Sequence, residues 1–395
     1  MRTFCRVAAA AALSLVLIVQ RPAQSAPDPF EINAILSLTG PTAFGGVQEQ
    51  RGLVALEAAV NKAGGIKGRP VHFHIYDDQG SPQVAVQLAT PLIAQHVAVI
   101  IGPVIVANCR AVGPLVTAGP VVYCTSPGAP VELGNGYMFA SSTANADNFR
   151  TSIRYFRERG LKNIALLTPT DSTGQEGERV ILATIALPEN RGETIVASEH
   201  FAPADLSVAA QIARIKQSNP QVLISWTSGA SLVTVLRAAS DGGLDVPVET
   251  NGGNMSFAQM DQVKDFIPAA GLFFPGPLFL APPGSIPRGP TRAAIDRFIQ
   301  AMHDAGADPV VPHLYTYDPA AIVVDAFRQL GTNATAEQLR AYLSKLHGYY
   351  GANGQYDFRD GSQRGLGPNA VLMVRWMPER RAFVGVSRPG GEPLP

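Results

Sequence analysis

The chain has 395 residues, 46% hydrophobic and 16% charged, with 31 basic and 31 acidic side chains and no formal net charge. That much apolar content excludes a disordered chain. Balanced charge without a run of Lys or Arg gives no footprint for nucleic acid or an anionic membrane surface.

The N-terminus carries the three parts of a secretory leader: Arg2 and Arg6, an apolar run over 7–19, and small residues at Ala23 and Ser25. Thirteen apolar residues are too few to span a bilayer, which takes about 20. Pro27 would block cleavage directly before it, so the expected cut follows Ser25, giving a signal peptide over 1–25 and a periplasmic mature chain. No Cys stands at that junction, which argues against a lipid anchor. The remaining 370 residues, roughly, fit two domains.

Short apolar runs then alternate with helical patterns. Strand 32–38 precedes helix 50–63; strand 71–76 precedes helix 82–96, which feeds strand 97–101; 112–118 leads to strand 121–124. A second series follows: helix 148–159, strand 163–167, helix 176–186, strand 194–200, helix 208–217, strand 222–226, helix 231–239, strand 246–250. Such alternation predicts βαβ units and parallel sheets, here an α/β chain of two doubly wound lobes. The proline-rich stretch 273–287 is extended and reads as a crossover between them. Helices over 291–305 and 319–329, a hairpin near 356–360, a last strand over 371–376 and a frayed end over 390–395 complete the pattern.

Cys109 and Cys124 remain in the mature chain; an exported protein permits them to pair, and two small buried hydrophobes are the alternative. In open α/β sheets ligands bind beyond the carboxyl ends of strands. Those ends carry polar or Gly-rich loops at 37–40, 102–103, 125–128, 168–171, 226–229 and 250–253, three in each series. Catalytic signatures (GxSxG, HExxH, GxxxxGK[ST]) do not occur. His72 and His74 read as a solvated strand face rather than metal ligands, and Asp77-Asp78 as a turn. No metal or cofactor is expected.

Three segments carry a resemblance. Ser37-Leu-Thr-Gly-Pro41, Asn61-Lys-Ala-Gly-Gly-Ile-Lys-Gly68 followed by Asp77-Asp78, and Asp171-Ser-Thr-Gly-Gln-Glu-Gly177 resemble the periplasmic leucine/isoleucine/valine-binding proteins of ABC importers, over about Phe30 to Trp376. The resemblance implies a type I periplasmic binding fold: lobe 1 from 27–144 plus 277–365, lobe 2 from 145–276 plus 366–390, joined by three crossovers that hinge. It implies a monomer that binds a small molecule and delivers it to a membrane permease, without catalysis.

It also implies a site. Phe44 is similar to the aromatic of the first loop. Val106 and Ala107 fall where the family uses a Ser hydroxyl, and Ser126, Pro127 and Gly128 resemble the second carboxylate-binding loop, with Arg110 as a further partner. Thr173 falls where an aromatic often sits, Thr227 where a polar or aromatic group follows a strand, and Asn251 where amino-acid binders place the acid that pairs with the ligand ammonium. Losing the charged partner of a buried ion pair costs about 3–5 kcal/mol. Unless Asp171 or another carboxylate substitutes, the expected ligand is therefore an aromatic or other carboxylate without an α-ammonium, held in a roomy slot against Phe44. Branched-chain or other amino-acid binding, ligand sensing, and a hydrolase-like activity built on Ser126 are the alternatives.

Overall fold

The structure is a computed structural model. It describes residues 27–40, 42–129, 131, 136–140, 142–286 and 288–394; the leader lies outside the described residues. One sheet is built from β1 (Phe30–Leu36), β2 (Val71–Asp77), β3 (Val99–Ile101), β4 (Val121–Cys124) and β5 (Met138–Ala140). All its pairings are parallel, in the order β2-β1-β3-β4-β5. Helices α1 (Ala43–Lys62), α2 (Pro82–Ala94) and α3 (Val106–Val112) supply the crossovers.

The chain then enters a second layered unit: α4 (Asn145–Arg157), β6 (Asn163–Pro169), α5 (Ser172–Ile185), β7 (Thr194–Phe201), α6 (Ala209–Gln217), β8 (Val222–Ile224), α7 (Ala230–Asp241), β9 (Val248–Glu249), α8 (Phe257–Val263) and β10 (Leu272–Pro277). It returns to the first unit as α9 (Pro290–Asp304), α10 (Val311–Leu330), α11 (Ala336–Leu343) and the hairpin β11 (His347–Tyr350) and β12 (Gln355–Asp357). A third passage leads to β13 (Val371–Met377) and β14 (Ala382–Gly385), which close the second sheet as β14-β13-β10-β9-β8-β6-β7. Strand order reverses around β1/β3 and β6/β8, and the crevice at such a switch point is where ligands enter this class of sheet.

Several sequence expectations change. Helix α1 begins at Ala43, seven residues before the expected start, because its glycines pack rather than turn. A Cβ on Gly46 would sit 2.0 Å from the Ser37 carbonyl oxygen, and one on Gly52 2.3 Å from that of His313. Those contacts lay α1 on β1 and on α10. Helix α10 starts at Val311 and carries Pro319 in its interior, so that proline does not mark a helix start. Residues 273–277, read as part of a crossover, belong to the sheet strand β10; its pairing with β9 ends at Phe273, leaving one side of Pro275 and Pro277 without a ladder to interrupt. The C-terminal stretch is anchored rather than frayed: Gly391 is buried against Thr151, and Glu392 meets Arg154 at 3.1 Å.

Cys109 and Cys124 form a disulfide, with 6.0 Å between their Cα atoms. It ties α3 to β4 beneath the loops that follow β3 and β4. His72 and His74 are exposed, as expected of a solvated face. Asp78 is buried and accepts from Ser37 Oγ, Asn108 Nδ2 and the Gly80 amide, bracing the end of β1.

Candidate functional site

Between the two sheets a cavity of about 90 Å³ is enclosed by strand-end loops of both units. Open surface grooves of about 800 and 690 Å³ lie elsewhere and are lined by other segments, whereas the small cavity collects residues beyond the carboxyl ends of β1, β3, β4, β8 and β9. It is smaller than the slot expected from Val106 and Thr173; for scale, a dry cavity of ~150 Å³ holds benzene.

The first unit contributes Thr42, Gly45 and Glu49 at the start of α1, Val104 to Val106 after β3, Thr125 to Gly128 after β4, and Pro312 and Tyr315 from α10. The second contributes Asn145 at the start of α4, Thr173 in the first turn of α5, Trp226, Ser228 and Gly229 after β8, and Asn251 and Gly253 after β9. Val106, Ser126, Pro127, Gly128, Thr173 and Asn251 are thus brought together. Phe44, Ala107 and Thr227 are not on the wall. Phe44 lies on the first turn of α1, and at 100° per residue it points well away from the Gly45–Glu49 line that faces the cavity. Ala107 is turned from Val106 by the same step. The Thr227 side chain is buried, and its carbonyl accepts from Asn251 Nδ2 and Asn254 Nδ2.

Local hydrogen bonds limit what each wall group offers. The Asn251 amide donates to the Thr227 carbonyl and Ser228 Oγ and accepts from the Gly253 amide, so it braces two loops. Ser126 Oγ accepts from the Gly128 amide at 3.2 Å, leaving its own O–H to turn elsewhere. Asp171 caps α5 by accepting from the amides of Thr173 and Gly174. Helix α7 has no side-chain cap, and Ser228 and Gly229 at its positive end line the cavity. Asn145 Oδ1 is buried with no hydrogen-bond partner among the described residues. Trp226 packs on Phe149 with ring centroids 4.3 Å apart and still shows the cavity part of its surface.

Arg110 does not clamp anything in the cavity. Its guanidinium spans the two units to Glu176 on α5, 2.9 Å away, and Glu176 also holds Arg179. Among the described residues no Lys, Arg or His lines the cavity, and its one carboxyl is Glu49. Burial pushes that carboxyl well above the usual range; the Thr125 hydroxyl opposes the shift and the Asp78 carboxylate adds to it. The adjacent His313 is pulled by burial down to about 3, with Arg51 adding. Its Nδ1 accepts from the Val310 amide, which places the proton on Nε2, facing Gln48 Oε1 at 3.0 Å.

Sequence reasoning missed Glu49 and Tyr315. Glu49 sits in the polar run Gln48-Glu49-Gln50-Arg51 and passes for a solvated face. Its spacing with Gly46, Leu53, Leu56 and Val60 on the buried side of α1 was the available signal. Tyr315 was hidden by the late start given to α10.

A model of the periplasmic binding protein family matches residues 29–379. The leucine-, isoleucine-, valine-, threonine- and alanine-binding protein of Pseudomonas aeruginosa is 28% identical over 225 residues, 56% of this chain and 59% of that one. The Leu/Ile/Val-binding protein homolog 1 of Brucella abortus is 24% identical over 320 residues, 78% and 81% of the two chains. The chain thus spans less than two thirds of the Pseudomonas relative. An extracellular ligand-binding receptor from Rhodopseudomonas palustris HaA2 superposes with a TM-score of 0.77 at 20% identity, covering 90% of this chain and 99% of the other. An R. palustris solute-binding protein in complex with benzoate superposes at 0.75, with 18% identity and 93% and 97% covered. These structures share the fold. The chain belongs to the periplasmic binding protein family, among the type I proteins of the leucine/isoleucine/valine-binding kind.

Proposed function

We propose that this chain is the exported solute-binding component of an ABC importer, released from a leader over 1–25. It captures a small organic molecule between lobe 1 (27–144 plus 277–365) and lobe 2 (145–276 plus 366–390) and presents the closed form to a membrane permease as a monomer, without chemistry. The observation that carries this reading is the cavity itself: it exists only where loops of both sheets meet, and the Arg110–Glu176 pair joins the units beside it. A ligand there would touch both lobes at once and bias them toward closure.

For the ligand, the reading is an aromatic or other carboxylate without an α-ammonium. The uncapped positive end of α7 and the hydroxyls of Ser126, Thr173, Ser228 and Tyr315 suit a small acid. Trp226 and Val106 supply apolar wall. A short aliphatic acid fits a cavity of about 90 Å³ more readily, and a benzoate-like ring needs the lobes slightly further apart. A second reading, an α-amino acid, is favoured by Glu49, the carboxyl that the argument from Asn251 lacked.

Thermal-shift screening of the mature protein against monocarboxylates, aromatic acids and amino acids tests the function. A true ligand at 100 times its Kd adds about 2.7 kcal/mol of stability. A panel in which nothing raises the Tm would refute solute capture.

A further inference from the structure

Glu49 is 2% exposed on the cavity wall, with no cation on that wall among the described residues, and solute capture alone does not explain it. Its partner Thr125 has one hydroxyl hydrogen and two acceptor neighbours: Glu49 Oε2 at 3.0 Å and the Pro103 carbonyl at 3.3 Å. If Glu49 is ionised, both acceptors compete for that hydrogen. If Glu49 carries a proton, the row closes, with Glu49 donating to Thr125 and Thr125 to Pro103.

The surroundings point the same way. Asp78, buried behind the wall at the end of β2, and Tyr315 on α10 are the titratable groups whose charge couples to Glu49. On the neighbouring turns, Arg51 of α1 acts on His313 of α10, which burial keeps neutral. Among the described residues, the loops after β3 and β4 and the lobe 2 wall bring no titratable side chain to the cavity. An anionic Glu49 would stand in low dielectric with only another carboxylate for company.

Resting on the carboxylate reading above, we infer that Glu49 meets the ligand as a neutral acid, sharing one proton with the ligand carboxylate. In an open cleft water solvates Glu49 and it ionises. Closure over the anion then takes one proton from solution, because two carboxylates in one dry site cannot both be charged. The proton is the only species exchanged, and no covalent bond other than its O–H is made.

Isothermal titration of the mature protein tests this. The probes are acetate, butyrate, benzoate, 4-hydroxybenzoate, leucine and alanine, each in two buffers of different ionisation enthalpy between pH 5.5 and 8.5. A monocarboxylate should bind with uptake of about one proton, and its Kd should weaken by up to about tenfold per pH unit as pH rises through the transition. Glu49→Gln, which keeps a neutral group at the same place, should bind the same acid with no proton uptake and a flat pH profile. A carboxylate that binds wild type without proton uptake overturns the inference, and this readout needs no variant to fold. Preference for leucine or alanine, lost in Glu49→Gln, overturns it in favour of an ammonium counter-ion while leaving solute capture intact. Failure of every probe to bind removes the capture reading and the inference with it.

Discussion

Arg110 on α3 reaches across the gap between the two lobes to Glu176 Oε2 on α5 at 2.9 Å, and it is the one ion pair joining α3 to α5 among the described residues. Glu176 is largely covered while Arg110 is 45% exposed, so the pair is only partly shielded from water. Partly exposed pairs contribute about 0.2–1 kcal/mol and are screened by salt. Because the contact exists only when the lobes approach, that energy biases closure rather than folding of either lobe.

Arg110→Ala should therefore weaken solute binding by up to about fivefold at low salt, the equivalent of ~1 kcal/mol. The gap from wild type should narrow at 0.5 M NaCl, and the apo melting temperature should stay put. Titrations at the two salt concentrations decide it; an equal deficit at both would mean that Arg110 acts otherwise.

A second guanidinium, Arg364, lies in the third passage between lobes. Its Nη1 donates to the Ser142 carbonyl in the first passage at 2.8 Å, and its Nη2 to the Ala129 carbonyl just past the Ser126–Gly128 loop at 3.2 Å. Burial pulls Arg364 down to about 10, and Asp147 opposes the shift. Arg364→Met would strand two buried carbonyls and remove the lesser of the two cations, after Arg150, that favour an ionised Asp147. The expected loss is about 3 kcal/mol of stability in urea. Arg364→Lys, keeping charge but not the fork, should recover only part of it.

What could be read beforehand followed from period and punctuation. Alternating apolar runs gave the βαβ series, and strand-end loops gave six of the nine expected site residues a common wall. The misses share a cause: tertiary contact overrode local signals. Gly46 and Gly52 are breakers in isolation, yet in α1 they let backbone approach within touching distance. Pro319 reads as a helix start until α10 is seen packed along α1. Glu49 reads as solvent-facing until Thr125, from a strand 76 residues away, is found against it.

Glu249 on β9 gives a pH signature independent of the ligand. It is fully buried; Ser152 Oγ donates to its Oε1 at 2.6 Å, and Oε2 has no partner among the described residues. Burial raises this carboxyl to about 8. An unfolded Glu titrates near ~4.3, so between those values the folded chain holds the extra proton, and stability falls as pH rises through the window. Glu249→Gln should melt close to wild type at pH 5 and above it at pH 8.5, flattening the profile. Melting curves at the two pH values test this, and parallel profiles would rule it out.

Gly128 packs close to the facing wall. A Cβ there would lie 2.7 Å from Val106 Cγ2, 3.2 Å from Asn145 Nδ2 and 3.4 Å from Glu176 Cγ. Val106 belongs to the same lobe and has little room to retreat, being 3% exposed, so the added methyl would be displaced toward Asn145 and Glu176 across the cleft. In an open molecule those two recede and the added methyl can shift away from Val106 into the space they leave. Gly128→Ala should therefore cost little in the apo melt yet weaken binding of any solute that needs closure at least tenfold, ~1.4 kcal/mol. Small-angle scattering with saturating ligand should show a larger radius of gyration for the variant than for wild type. If Gly128→Ala binds and compacts like wild type, the cleft closes by a path that does not bring these walls together.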